Sequence, residues 1–552
     1  MGEGNQPEVL IVGAGPCGMI MSLLLAKYGV RSRLLERREG LASVPRAHAV
    51  NGKTLEIGKS VGLDPVRVHA AALPPAIGGM VRFWSTLGGT YFGGLPYERQ
   101  DHEVLEIASQ KLANISQPRF EALLLELVQG NPLITFERGV QVRSLEACEE
   151  EVRLTVEDRR GQRSTRSGAY AVAADGAGSS LRAALGIPMV GPDALQQFMT
   201  INFSADLSSL FGEKPGVLHW IMDPGASGTL IAYDNGTNWV FMHGCPEGEA
   251  RAEPYSEAEA RAVVAAALGS DTIAFTIRNI SPWTMTAQVA EHYRAGRTFL
   301  VGDAAHRFPP AGGLGLNTGI GDAHNLAWKL AATLKGLAAP SLLESYERER
   351  KPVAETNSAQ SLGNAMKLFE LFAALYGPDP KEVPRFFAAQ CAAGAEAPGV
   401  EAAITAQRPH FDSLRLQLGY SYGGYDDSAL PSEHYDPSFR PGDCLPHCPI
   451  ERKGVPGSIV DLPEGLNCLL LLSSRVPPFE GALKALTTLQ EGVDFTGSFS
   501  ARLAAVDPAL AGLLVRPDGH IAASFHEEAL TPSAVEEALA QVFCLPLVAK
   551  EV

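Results

Sequence analysis

The chain has 552 residues, with 46 Lys and Arg against 62 Asp and Glu, a formal net charge of −16. That length exceeds one core and predicts roughly two to four domains. The acidic balance leaves no basic patch for nucleic acid or an anionic membrane surface, and no apolar run approaches the ~18 residues of a membrane span.

The eight cysteines lack paired framework spacing, so free thiols in a reducing cytoplasm are expected. Cys444, His447 and Cys448 hint at a metal, but no second ligand pair follows at zinc-site spacing, so none is predicted. The polar start passes into a strand without a signal peptide, which predicts a cytoplasmic protein.

Val9 to Val12 reads as a short buried strand. Gly13, Gly15 and Gly18 follow as G-x-G-x-x-G, and Pro16 to Tyr28 reads as a helix closed by Gly29. A second strand, Arg33 to Leu35, ends at Glu36. These glycines allow a tight turn, close approach of a pyrophosphate, and close helix–strand packing. Glu36 stands 18 residues beyond Gly18, near the ~20 expected of the acid that bonds ribose hydroxyls. Its charge repels a 2′-phosphate, which favours NAD or FAD over NADP at this loop.

Residues 76–108 carry aromatic, alternating stretches (VRFWSTLGGTYFGG). Residues 195–285 read as strands in MTINFSADL, GVLHWIMD, GTLIAYD and NWVFMHG, followed by a helical SEAEARAVVAAAL. One sheet built from these two segments is expected. Thr298 to Val301 is another apolar strand, stopped by Gly302-Asp303. Gly312, Gly313 and Gly315 then precede a helix expected after Asn317, where unpaired N–H groups would meet an anionic or carbonyl-bearing ligand. Two glycine-rich turns suit one long ligand with a phosphate end and a ring end.

Composition turns Ala- and Pro-rich from 378 to 410, and six prolines between 431 and 456 read as a wrapped linker. A strand GLNCLLLLSS, a helical SARLAAV, a hairpin about Pro517-Asp518-Gly519 and a capped helix TPSAVEEALAQVF finish the chain.

Four stretches in this order carry a resemblance: VLIVGAGPCG, PRAHAVNGKTLEIGKSVGL (45–63), AVAADGAGSSLRAALGI (171–187) and FLVGDAAHRFPPAGGLGLNTGIGDAHNLAWKL. Across about residues 8–365 the chain resembles the class A flavin-dependent aromatic hydroxylases, the phenol hydroxylase type. The resemblance implies an α/β fold: a discontinuous Rossmann-like FAD-binding domain (1–75, 109–188, 286–375), a mixed β-sheet substrate domain (76–108, 189–285), a helical, Pro-rich connection (376–457) and a thioredoxin-like domain (458–552). The last lacks a C-x-x-C pair, so an assembly or structural role is expected there; a homodimer is the expected assembly.

The implied cofactors are FAD, NADPH or NADH as a transient donor, and O2. The implied FAD contacts are Gly13, Gly15, Pro16, Gly18, Glu36 and Arg37 in the first motif, with Arg46 at the phosphates and Gln117 at the flavin side chain. Asp175 and Gly176 would serve FAD and the nicotinamide donor. Asp303 would hold the ribitol, and Pro310, Gly313, Gly315, Leu316 and Asn317 would sit against the isoalloxazine. Leu314 departs from the glutamine common there.

A small phenolic, electron-rich or polyketide aromatic is the implied substrate, hydroxylated through a flavin C4a-hydroperoxide with His48 as base. Trp220, Met222, Tyr233, Trp239 and Phe241 are candidate pocket residues. Alternatives are a Baeyer–Villiger or epoxidising monooxygenase of the same fold, or a non-catalytic flavin-binding protein. The W-x-W-x-I-P signature of flavin halogenases is absent.

Overall fold

The computed structural model describes residues 9–40, 48–245, 253–424, 431–479 and 483–546. Val9–Val12 is fully apolar and buried, as expected of a strand covered on both faces. It lies inside a six-stranded sheet, between Ser32–Glu36 and Tyr170–Ala173, both parallel to it, with Ile134–Arg138 and Thr298–Leu300 outside them. Arg294–Ala295 closes the Thr298 edge antiparallel. Helices Pro16–Lys27, Gln117–Gly130 and Leu314–Leu334 form a layer against this sheet. A three-stranded antiparallel sheet (Val140–Ala147, Val152–Asp158, Arg163–Gly168) adds Val152, Leu154 and Val156 to the same core.

This topology answers why three distant motifs meet. Val12 pairs with Ala173, and Ala173 with Leu300, so the carboxyl ends of all three strands leave the sheet at one edge. The loops bearing Gly13, Asp175 and Asp303 therefore open on one crevice.

A seven-stranded sheet stands beyond that edge. Its order is Thr276–Met285, Gln196–Ser204, Asn238–Gly244, Gly228–Tyr233, Leu218–Ile221, Met80–Trp84 and Tyr91–Pro96. It draws strands from both segments that the sequence singled out. The edge strand Thr276–Met285 was not among them. Its Pro282 pairs with Met199 on the outermost strand, where a missing N–H is tolerated. Helix Glu257–Leu268, begun by a Ser256/Glu259 capping box, packs into this sheet's core.

Two boundaries differ from expectation. The second glycine-rich turn ends earlier, at an N-cap Gly313 with φ 63°, and the helix starts at Leu314, so Gly315, Leu316 and Asn317 are its first turn. The expected linker ends in a hairpin, Pro449–Arg452 with Val455–Ser458. Pro449 opens one strand and Pro456 sits on an edge, positions where proline fits a sheet.

The C-terminal sheet runs Leu486–Gln490, Cys468–Leu472, Leu510–Val515, Ile521–His526; only its first pair is parallel. It is bound to the N-terminal region through Arg516, whose guanidinium reaches both Glu349 oxygens at 2.9 Å and lies over the Trp328 ring. No helix among the described residues is long and apolar enough to cross a membrane.

Candidate functional site

The three loops and the large sheet enclose a cavity of about 1220 Å³. That exceeds the ~300–1,000 Å³ of an ordinary small-ligand cleft and leaves room for two ligands.

At one end the first glycine loop divides its labour. A Cβ on Gly13, at φ +101°, would stand 2.3 Å from the Ala174 carbonyl oxygen, and one on Gly18 would stand 1.9 Å from that of Gly13. Both are closed by backbone. Gly15 has nothing within 4 Å on its Cβ side and lines the cavity. It also caps helix Pro16–Lys27 without a side-chain partner, leaving that helix's first N–H groups for a ligand. Glu36 is buried at the wall, where one carboxylate oxygen accepts from the Ala14 N–H at 2.9 Å and the other from the Arg38 N–H at 2.8 Å. Arg37, Gln117, Asp175, Gly176, Asp303, Pro310, Gly313, Gly315 and Leu316 also line the cavity. Arg46 lies outside the described residues.

Two expected ligand contacts already have partners within the chain. The Asn317 amide is taken up by four bonds, three of which tie the second loop to residues 49–54. Its oxygen accepts from Asn51 N and Thr54 Oγ1, and its nitrogen donates to the Ala49 and Gly313 carbonyls. It does not line the main cavity. The Asp175 carboxylate accepts from Ser179 Oγ and from the Ser180 and Leu181 N–H groups, capping the turn that begins the next short helix.

Towards the large sheet, His48 is fixed by a two-step relay. Asn114 Nδ2 donates to the Gly78 carbonyl at 2.7 Å, so its Oδ1 faces His48 Nδ1 at 3.0 Å. An amide oxygen only accepts; His48 therefore carries its proton on Nδ1 and keeps the Nε2 lone pair. Burial pushes the imidazole pKa down, against the Asn114 bond, which leaves it neutral. Its ring stands 5.7 Å from that of Tyr97 and 6.1 Å edge-on to that of Tyr233. The Tyr97 hydroxyl lies 3.5 Å from where a Gly313 Cβ would be, so His48 and the second glycine loop share one corner. Beside Tyr97, Glu98 at φ 50° donates its N–H to the Phe411 carbonyl, and its carboxylate accepts from Ser413 Oγ and Gln417 Nε2.

The family described as FAD binding domain matches residues 6–361, and that described as aromatic-ring hydroxylase, C-terminal, matches 438–546. The 2,4-dichlorophenol 6-monooxygenase of Delftia acidovorans is 30% identical over 567 residues, covering 94% of either chain. The crystal structure of the flavin-dependent monooxygenase PieE with FAD and substrate superposes at TM-score 0.89 and 30% identity, over 99% of this chain and all of that one. Aklavinone-11 hydroxylase with FAD and aklavinone gives 0.82 at 26% identity, over 99% of this chain and 100% of that one.

The chain belongs to the class A flavin-dependent aromatic hydroxylases. Its cofactor is FAD, with NAD(P)H and O2 the usual cosubstrates of the family. The residues present fit the group. The open Gly15 cradle at a bare helix start suits a pyrophosphate, the adjacent Glu36 suits ribose hydroxyls, and the Gly312–Gly315 corner beside His48 suits a planar ring.

Of the hydroxylase's expected pocket residues, Trp220 and Met222 line the cavity; Tyr233, Trp239 and Phe241 do not. Strand alternation explains this for Trp239 and Phe241. Trp220 pairs with Thr229, and Thr229 with Met242, and all three line the cavity; their neighbours His219, Leu230 and Phe241 face the other way. Trp239 and Phe241 share a core with helix Glu257–Leu268, and Trp239 donates to the Ala205 carbonyl. Tyr233 is buried against the His48 ring. Met242, Thr229, Tyr97, Asn114 and the His410–Phe411 pair were missed. Only the strand register brings the first two to the wall, and only long-range packing the others. The cysteine–histidine trio is engaged elsewhere: Cys444 with His520, His447 with Ser458, and Cys448 with Ser498.

Proposed function

We propose that this monooxygenase hydroxylates a phenolic ring whose hydroxyl donates to His48 Nε2. The observation that carries the reading is the Gly78–Asn114–His48 relay beside the Gly313 corner. When bound, FAD supplies reduction by NAD(P)H and delivery of one oxygen atom from O2.

The chain's own task is to hold the ring, exclude water and take up the phenolic proton. A phenol pKa near ~10 stands at least ~3.5 above that of a buried, neutral histidine, so complete ionisation would cost about 5 kcal/mol or more. His48 therefore takes the proton as the C–O bond forms, and the Asn114 oxygen steadies the resulting imidazolium through Nδ1–H. Glu36 holds the adenosine ribose, Arg37 stands beside the adenosine end, Gln117 reaches the flavin side chain and Asp303 the ribitol. Asp175 acts as the cap of a turn on the nicotinamide path.

The segments 1–75, 109–188 and 286–375 form the FAD domain, and 76–108 with 189–285 the substrate domain. The C-terminal unit reads as thioredoxin-like. Its sheet order places the second strand beside the first and the fourth beside the third, with only the first two strands parallel.

The O-methyl ether of a turned-over phenol tests the base. It should bind and stimulate NAD(P)H oxidation, yet yield hydrogen peroxide in place of product, and His48→Ala should uncouple in the same way with the phenol itself. Product from the ether at an undiminished rate overturns the reading.

A further inference from the structure

Tyr97 follows directly on the edge strand Tyr91–Pro96 of the substrate sheet, and the backbone on both sides of its ring is pinned. Its N–H donates to the Gly79 carbonyl at 2.9 Å, and its carbonyl accepts from Gln100 Nε2 at 2.8 Å. The next residue, Glu98, sits at φ 50°, a strained value for a residue with a Cβ, and is held there by the Phe411 carbonyl, Ser413 and Gln417. The Tyr97 ring is 3% exposed, 6.2 Å from that of Phe411 and 5.7 Å from that of His48. Yet this firmly held side chain ends in a hydroxyl with no hydrogen-bond partner among the described residues. Unlike Trp220 Nε1 and His410 Nδ1, which are sealed within the wall, the Tyr97 oxygen opens on the cavity.

Packing alone would be served better by phenylalanine, since a hydroxyl taken from water into an apolar corner loses its hydration without regaining a bond. Burial, then the Glu98 carboxyl and the Tyr233 hydroxyl, push the Tyr97 pKa far above the ordinary 10, so the group keeps its proton and donates. Its neighbour His48 presents the opposite character, because the Asn114 bond to Nδ1 leaves Nε2 as an acceptor. A donor and an acceptor thus share one corner, and 5.7 Å between the rings lets one small polar group bridge them. A phenolic hydroxyl matches both: its proton faces His48, and a lone pair of the same oxygen accepts from Tyr97.

We infer that Tyr97 is a second catalytic residue, donating from Oη to the phenolic oxygen whose proton passes to His48. The inference rests on the His48 reading above and adds what a base alone lacks. As the proton leaves, negative charge grows on the oxygen, and the Tyr97 bond changes from neutral to charge-assisted. Tyr97 therefore binds the ionising phenol more strongly than the neutral one. The phenolic O–H bond breaks, an N–H bond forms at His48 Nε2, and the Tyr97 proton stays on its own oxygen.

Binding of 4-nitrophenol to the oxidised, FAD-loaded enzyme tests this without turnover. Its phenol and phenolate differ in colour, so difference spectra across a pH series give the pKa of the bound probe. A charged hydrogen bond is stronger than a neutral one, so Tyr97→Phe should raise that pKa by about one unit. His48, Glu98 and Tyr233, the titratable groups around Tyr97, are the same in both proteins and drop out of the difference. 4-Nitroanisole, which never ionises, should bind the variant within ~10-fold of wild type. An equal bound pKa in the two proteins, an equal loss of affinity for anion and ether, or wild-type enzyme that binds no 4-nitrophenol overturns the proposal. If Tyr97→Phe fails to retain FAD, 3-fluorotyrosine at position 97, a more acidic donor of nearly the same shape, must lower the bound pKa; an unchanged value is equally fatal. Failure of the His48 reading looks different: His48→Ala would keep its coupling, while Tyr97→Phe would still shift the probe.

Discussion

Replacing Glu98 by Gln should change how the stability of this enzyme depends on pH. Burial, followed by the nearby Asp412 carboxylate, lifts the Glu98 pKa to about 7, against bonds from Ser413 and Gln417 that pull it down. The ordinary value is 4.5. A carboxyl raised in the fold binds its proton more tightly there than in the unfolded chain. Its ionisation therefore removes stability as pH climbs from about 4.5 to about 7, and the cost is constant above that. The difference amounts to about 3 kcal/mol. Gln cannot ionise, and its amide can keep contacts to Ser413 and Gln417. Near pH 5 the variant should match wild type to within ~1 kcal/mol. At pH 8 it should be about 3 kcal/mol more stable relative to that baseline. Urea unfolding at both pH values, followed by the tryptophans of the substrate sheet, measures this. A difference between the two proteins that is the same at pH 5 and pH 8 refutes the argument.

The two glycines of the first loop should separate folding from binding. Gly18→Ala forces a Cβ into the Gly13 carbonyl and should lower the apo-protein's melting temperature, whereas Gly15→Ala, open on that side, should leave it within a degree or so and weaken FAD binding alone. Glu36→Ala should lose flavin on gel filtration, since a charged hydrogen bond contributes ~1.5–3 kcal/mol, or roughly 10- to 100-fold in affinity; a variant that remains fully yellow at micromolar dilution contradicts the assignment. Asn114→Asp puts a carboxylate on His48 Nδ1 and should raise the imidazole pKa, so product per NAD(P)H should fall at pH 6 and recover by pH 8. An unchanged pH profile removes Asn114 from the mechanism.

Where one physical cause governs a segment, the sequence could be read closely. Val9–Val12 is apolar throughout because both faces of a parallel sheet are covered, and after it Gly13 and Gly18 are required by contacts that a Cβ would break, while Gly15 keeps the cavity side open. Asn238–Gly244 defeated the same reading. Helix Glu257–Leu268 covers one of its faces and the cavity meets the other, so NWVFMHG is apolar on both and its alternation does not say which side Met242 takes. Asn317 drew a ligand role from its place in a glycine-rich turn, but three of its four partners lie more than 260 residues away in sequence. His410 carried no signal at all, because an unmet nitrogen is visible only when its neighbours are known.

The order of strands in the first sheet has a consequence for synthesis. Val9–Val12 and Ser32–Glu36 pair at once, but the other neighbour of Val9–Val12 is Tyr170–Ala173, and that strand's own far neighbour is Thr298–Leu300. At ~5–20 residues per second, a ribosome leaves the open edge of Val9–Val12 unpaired for of order ten seconds, and the next for about as long. Each is a buried-type apolar edge, the kind that recruits foreign strands. The crevice cannot close on its cofactor until the loop at Asp303 and the helix from Leu314 have emerged. Flavin therefore joins late, and a chain cut short before Thr298 should aggregate rather than persist as a smaller flavoprotein.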